Sequence, residues 1–153
     1  MTWGPNSLTD TVNYLSDVVR RASAEPRTSF ILAVVTSDGD LIGAVHLKFT
    51  DASHRQGELG YVIAKNSWGL GYATEVARCL IAFGFDELDL DRITATCHPD
   101  NLASARVLEK AGMRLEGTLR GNLQFRGASR DSQLYAIAAN GEAIDRATGV
   151  QAI

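Results

Sequence analysis

The chain has 153 residues, of which 45% are hydrophobic and 22% charged, the balance of a water-soluble globular protein and enough for one domain that buries about two thirds of its unfolded surface. Its net charge of -3 and pI near 5.6 argue against a nucleic-acid binder, because clustered Lys and Arg carry affinity for phosphate backbones. No apolar run of about 18 residues and no basic-then-apolar leader is spelled, so neither a membrane span nor a secretory signal is expected, and a cytoplasmic location is.

Ser7 and Asp10 have the spacing of a capping box, and Leu8, Val12, Leu15, Val18, Val19 and Ala22 then fall on one helical face until Pro26. The chain therefore opens with an amphipathic helix. Phe30 to Val35 is a β-branched and aromatic run, Asp38-Gly39 is a hairpin turn signal, and Leu41 to Phe49 continues as a second strand. A third strand is expected from Glu58 to Ala64, closing an antiparallel meander. Tyr72 to Phe85 repeats apolar residues at Ala73, Val76, Ala77, Leu80, Ile81 and Phe85, the pattern of a helix laid on a sheet by one face. Arg92 to Cys97 reads as a short strand. Asn101 to Ala111 reads as a helix with Leu102, Ala105, Val107 and Leu108 on its buried side and Gly112 as its stop. Met113 to Leu119 and Gln133 to Ile137 form a closing strand pair around a loop at Gly121 to Asp131, and the tail from Ala138, low in bulky residues, is expected to be poorly ordered.

The stretch Ser67 to Glu75, Ser-Trp-Gly-Leu-Gly-Tyr-Ala-Thr-Glu, joins the third strand to the second helix. Gly69 and Gly71 have no side chains, so backbone N–H groups can converge there on an anion that the positive end of the following helix also favours. The turn is a candidate pyrophosphate cradle. It lacks the Gly-Lys-Ser/Thr ending of a nucleotide-hydrolase phosphate loop and the third glycine of a dinucleotide fingerprint. A strand, crossover helix and strand around it imply a locally parallel pair in a mostly antiparallel sheet, with ligands gathering beyond the carboxyl ends of those strands. Cys79 and Cys97 are expected to be small core hydrophobes. His46, His54 and His98 lack ligand spacing, so no metal site is expected and they read as solvated or core histidines.

With these elements in order, residues 29–137 resemble the GCN5-related N-acetyltransferase (GNAT) family, most closely its branch similar to the acetylases of ribosomal-protein N-termini (RimJ/RimL-like). Trp68-Gly-Leu-Gly-Tyr-Ala-Thr-Glu75 resembles the acetyl-CoA motif Arg/Gln-x-x-Gly-x-Gly/Ala. The segment from His98 through Asn101, Ser104, Lys110 and Gly112 to Met113 resembles the second motif, Asn-x-x-Ser followed by Lys-x-Gly-Phe/Met, and Arg130 to Ile137 resembles the branch's last strand. The resemblance implies an α/β (α+β) GNAT fold, a mixed, mostly antiparallel twisted sheet flanked by helices around a central β-α-β acetyl-CoA-binding unit, in one domain spanning 1–153. The usual N-terminal strand and helix are expected to be missing, and the sheet edge they would cover is expected to be closed by a homodimer.

The resemblance further implies acetyl transfer from acetyl-CoA to a primary amine, a peptide N-terminus or a small molecule; the alternative is a non-catalytic CoA-binding or interaction domain. Trp68 is counted with the cofactor-binding residues, backbone amides of Gly69, Leu70, Gly71, Tyr72, Ala73 and Thr74 are expected to hold the pyrophosphate, and Val62 and Ile63 to pair with the pantetheine arm as an added strand. Asn101 is expected to hydrogen-bond that arm, Ser104 to reach the departing thiolate, and Lys110 either to approach the cofactor or to serve as a cation at a helix end. Trp68 stands where many relatives carry Arg or Gln. Such chemistry needs a neutral amine, a polarised carbonyl and a proton for the sulfur. An amine of pKa near 10 is protonated about a thousandfold over neutral at about pH 7, so a base is needed, and Glu58 is the candidate, with His98 the weaker one. Tyr61 and Tyr135 are further hydroxyls, read first as core packing. The acceptor pocket is expected among loops around Pro5, His54 and Gly121 to Asp131.

Overall fold

A computed structural model describes residues 7–125 and 127–139. Helix α1 (Leu8–Ala22) begins at the capping box: the Ser7 hydroxyl accepts from the Asp10 N–H, and the Asp10 side chain accepts from the Ser7 N–H at 2.9 Å. Strands β1 (Ser29–Val35), β2 (Leu41–Asp51) and β3 (Gln56–Ile63) form the expected antiparallel meander, its first turn closed by Thr36, Asp40 and Gly39 at φ +90°. Helix α2 (Tyr72–Asp86) crosses over to β4 (Arg92–Cys97), which lies parallel to β3, and α3 (Leu102–Lys110) leads to β5 (Arg114–Phe125) and β6 (Ala128–Ala138). The sheet order is β1-β2-β3-β4-β6-β5, antiparallel throughout except at β3–β4.

The core lies where α2 and α3 cover the sheet. Leu47, Leu59, Leu90 and Ile93 are at most 2% exposed, joined from the helices by Ala77, Leu80, Ile81 and Leu108. Gly84 is required there, because a Cβ on it would sit 2.6 Å from the Ile93 Cδ1 and 3.0 Å from a Leu47 methyl. Among the described residues no helix is long and apolar enough to cross a membrane.

Three expectations are corrected, and α1 is amphipathic as expected. The stretch Gly121 to Asp131 is mostly ribbon rather than loop: β5 and β6 pair through Leu123↔Arg130 to Phe125↔Ala128, with a register shift between Leu119 and Leu123. Leu123, Gln124, Ser129 and Arg130 are all exposed, so the pairing rests on the backbone rather than on a buried face, and Gly121, at φ +60°, donates its N–H to Asp131. Cys79 is exposed while Cys97 is buried. The buried face of α2 is Ala77, Leu80, Ile81 and Gly84, and a residue two positions from either Ala77 or Ile81 points about 200° away. Leu102, at the first turn of α3, is exposed, leaving Ala105 and Leu108 as its buried side. Helix α1 buries no residue, and its stripe Leu8, Val12, Leu15 and Val19 is open. Leu15→Gln is accordingly expected to change stability by less than about 0.5 kcal/mol, measured by urea denaturation; a larger loss would mean that the stripe is covered in solution. The expectations for Pro5 and for the tail beyond Ala139 lie outside the described residues.

Candidate functional site

Strands β3 and β4 run parallel for three register pairs, Gln56↔Arg92, Gly57↔Ile93 and Glu58↔Thr94. Beyond them the strands part, although β3 continues to Ile63 and β4 to Cys97. The opening is a cleft of about 210 Å³. Its walls come from Glu58, Leu59, Gly60 and Tyr61 on β3, Ala95 and Thr96 on β4, Ser104 and Leu108 on α3, and His46 on β2. A sheet opened in this way leaves unpaired backbone groups along β3. The Ala64 N–H donates to the Ile42 carbonyl at 2.7 Å, so by alternation Val62 also turns its backbone to β2 while Tyr61 and Ile63 turn theirs to the opening. The Ile63 carbonyl is taken by the Trp68 indole N–H at 2.7 Å, leaving its N–H for a ligand.

At the mouth of the cleft the chain makes a short 3-10 turn, Lys65–Ser67, and then the glycine turn. Gly69 and Gly71 have φ of +76° and +90°, and an added Cβ at either would meet nothing within 4 Å. These positions need glycine for conformation, and they border open space. Gly71 caps α2 without a side-chain acceptor. Within α2's first turn, Thr74 and Glu75 donate their N–H groups to the Gly71 carbonyl. Those of Gly69, Leu70, Gly71, Tyr72 and Ala73 make no hydrogen bond among the described residues. Such a run of free donors at a helix N-terminus has the chemistry to accept a multiply charged anion.

Across the cleft, α3 starts from Asn101, whose side-chain oxygen accepts from the Ser104 N–H at 3.1 Å. This cap holds the first turn of α3 against β3, where the Tyr61 hydroxyl lies 2.9 Å from the Ser104 Oγ. Burial pushes the Tyr61 phenol above its usual pKa, opposed by the Ser104 hydrogen bond, so the pair keeps its protons at neutral pH and is able to donate one. Glu58 faces its register partner Lys48, with Nζ to Oε2 at 3.4 Å. One step along, the His46 ring lies flat on Gly60: a Cβ there would stand 2.3 Å from the His46 Cε1. Burial and the Lys48 charge press the His46 pKa below its usual value, against a smaller upward pull from Glu58, and the ring is neutral at pH 7.

The expected site residues thus divide. Glu58, Tyr61 and Ser104 meet in the cleft, and Gly69 to Ala73 line its mouth with free amides. His98 turns to its own loop, its Nδ1 accepting from the Asp100 N–H at 3.2 Å. His54 is tied to Asp51 at 2.7 Å at the closed end of the parallel pair. Lys110 stands at the far end of α3, six residues and roughly 9 Å from Ser104, where its carbonyl accepts from Arg78 at 2.6 Å. Tyr135 is 2% exposed in the core. His46 and Thr96 were not anticipated in the cleft. A signal for His46 existed in the alternation of Val45 and Leu47 inward with His46 outward, opposite a strand glycine, which marks a close approach.

Comparison with known proteins places this geometry in context. The family model described as an acetyltransferase (GNAT) domain matches residues 1–114. An uncharacterized N-acetyltransferase of Bacillus subtilis, YoaA, is 38% identical over 98 residues, 64% of this chain and 55% of its own length. The putative ribosomal N-acetyltransferase YdaF of the same organism is 36% identical over 65% of this chain and 55% of its own length. Among solved structures, Mycobacterium smegmatis RimJ in complex with CoA-disulfide superposes with a TM-score of 0.78 at 30% identity, over 94% of this chain and 70% of that one. The chain spans about half the length of the curated relatives it matches.

Proposed function

This chain belongs to the acetyltransferase (GNAT) family, and we propose that it transfers the acetyl group of acetyl-CoA to a primary amine, either a peptide N-terminus or a small polyamine-like molecule. The observation that carries the reading is the parted strand pair with five free amides, Gly69 to Ala73, at its mouth and a Tyr61–Ser104 hydroxyl pair inside it. The amides suit a pyrophosphate. The free N–H of Ile63, and that of Tyr61 by the same alternation, suit the amide-bearing pantetheine arm, with Asn101 at the cleft's other lip. Trp68 supports that edge by fixing the Ile63 carbonyl. The open space beside Gly69 and Gly71 fits this substrate, since any side chain there would fill it.

In this reading acetyl-CoA supplies an activated acyl group as a thioester. Ser104, hydrogen-bonded to Tyr61, supplies the proton for the leaving sulfur, and Glu58 is the carboxylate in reach of the incoming amine. Ser104→Ala is expected to lower kcat about a hundredfold while leaving acetyl-CoA affinity within about twofold, by steady-state assay and calorimetry; wild-type turnover would reduce Ser104 to a helix-start hydroxyl. RimJ-like and ribosomal relatives favour a peptide N-terminus, and a relative named spermidine N(1)-acetyltransferase, 28% identical, favours a polyamine. The β5–β6 hairpin reaches past the end of β4 on the side where the cleft opens, and it is the element that borders the acceptor in this proposal. The reading includes a cytoplasmic location, supported by two free thiols that an oxidising compartment would put at risk. It also includes a homodimer, supported by β1 lying at the sheet edge with no further strand beside it among the described residues and by the exposed α1 stripe; light scattering at micromolar concentration tests it.

The deciding experiment is acetyl-CoA titration by calorimetry followed by thiol release across amines and short peptides. Binding with acceptor-dependent release supports acetyl transfer. Binding with no release on any acceptor favours the non-catalytic CoA-binding alternative, and no binding removes both.

A further inference from the structure

Resting on the acetyl-transfer reading, we infer that His46 receives the proton of the acceptor ammonium, with Glu58 as the anionic group that holds that ammonium beside it. His46 and Glu58 share one face of the sheet on neighbouring strands. His46 stands opposite Gly60 and Glu58 opposite Lys48, which makes the two diagonal neighbours roughly 7 Å apart across the β2–β3 ladder. Both line the cleft, as do Tyr61 and Ser104. A cation between them would touch the carboxylate and the imidazole at once.

The two groups are suited to different tasks. Glu58 is within ion-pair distance of Lys48 at 3.4 Å and lines the cleft, which places a carboxylate where an entering cation passes. The His46 ring makes no hydrogen bond among the described residues, and it is half-buried against the bare backbone of Gly60. The charged groups acting on it are Lys48 from its own strand and Glu58 from β3; β1 presents the apolar Ile31 opposite it. Lys48 and burial keep the ring unprotonated before the acceptor arrives. When the ammonium enters, its proton passes to an imidazole nitrogen and the Glu58 charge stabilises the imidazolium formed. The freed amine lone pair forms the C–N bond with the acetyl carbon, the C–S bond breaks, and the thiolate takes a proton from the Ser104–Tyr61 pair. The amide nitrogen's remaining excess proton restores the Ser104–Tyr61 pair, and the imidazolium releases its proton to solvent as the products leave, so the net reaction frees one proton. Glycine at position 60 is part of the arrangement, since any side chain there collides with the ring.

The test compares wild type with His46→Gln, following loss of thioester absorbance with spermidine and with trialanine between about pH 6 and pH 10. A base that accepts from the ammonium form gives wild type a kcat/KM that levels off above the histidine range, whereas an enzyme without it needs the free amine and gains about tenfold per pH unit up to the amine pKa. The expected result for His46→Gln is a kcat about a hundredfold lower near pH 7, that unit slope, and acetyl-CoA affinity within about twofold. Wild-type kcat and pH profile in the variant would overturn the assignment of His46 and leave acetyl transfer standing. Bound acetyl-CoA with no turnover of either acceptor by the wild type would overturn the transfer reading, and His46 with it. Should His46→Gln fail to fold, NMR titration of the His46 ring in the wild type decides: a neutral ring at pH 7 that shifts on adding spermidine supports the proposal, and a ring still protonated at pH 7 overturns it.

Discussion

Gly71→Glu is expected to raise the Kd for acetyl-CoA at least about a hundredfold while the protein stays folded. Position 71 borders open space, with no atom within 4 Å of an added Cβ, so the new side chain meets no neighbour and projects into the region of free amides. A carboxylate about 5 Å from a phosphate charge costs about 3 kcal/mol at an effective dielectric near 20, which is about a hundredfold in Kd. The backbone adds its own cost, because Gly71 sits at φ +90° and any L residue is strained there by about 1–2 kcal/mol. Gly71→Ala separates the two effects: it carries the strain, seen as a Tm lowered by a few degrees, with affinity changed only severalfold. Calorimetry on both variants reads the difference. Unchanged affinity in Gly71→Glu would refute the cradle, and with it the reading of the cleft as a CoA-thioester site.

The second large effect is on stability. Leu47 is fully buried in β2, and its methyl groups are among the nearest atoms to the Cβ positions of Gly57, at 3.4 Å, and Gly84, at 3.0 Å. It therefore fills the space where β2, the paired start of β3 and the C-terminal end of α2 meet. Leu47→Ala removes that filling, and neither neighbouring glycine has a side chain to move in. A loss of about 3–4 kcal/mol is expected, a large share of the roughly 5–15 kcal/mol that holds such a domain folded. A urea midpoint shift at unchanged slope measures it, with Tm falling by about 10 °C. A loss under about 1 kcal/mol would mean that the junction relaxes to fill the cavity. Leu15→Gln on α1 provides the contrast, since that leucine is 54% exposed. Similar costs at both positions would show that the α1 stripe is buried in solution.

The two positions also show how the site depends on the core. Leu47 helps clamp the three register pairs at the closed end of β3–β4. The opening beyond them needs that end to be held. A loosened junction is expected to cost cofactor affinity as well as stability, whereas Gly71→Glu costs affinity far more than stability.

What the sequence determined by itself is what short-range chemistry decides. Ser7 and Asp10 start α1 because three residues suffice to close a capping box. Asp38-Gly39 turns β1 into β2, and the 3.6-residue period of Ala77, Leu80 and Ile81 fixes which side of α2 is buried. The glycines at 69 and 71 announce a turn of positive φ at a helix start, and Asn101 announces the next one. Each of these signals lies within a few residues of its effect. The tertiary structure alone decided where β3 leaves β4, because parting after Glu58↔Thr94 depends on twist and register between segments separated by a whole helix. It alone brought the Tyr61 hydroxyl to Ser104, 43 residues away, and laid His46 on Gly60 by the β2–β3 register. It also left α1's apolar stripe and Cys79 exposed and paired an exposed ribbon by its backbone. Periodicity reports which face of an element is apolar, but only the packed chain determines whether anything lies against that face.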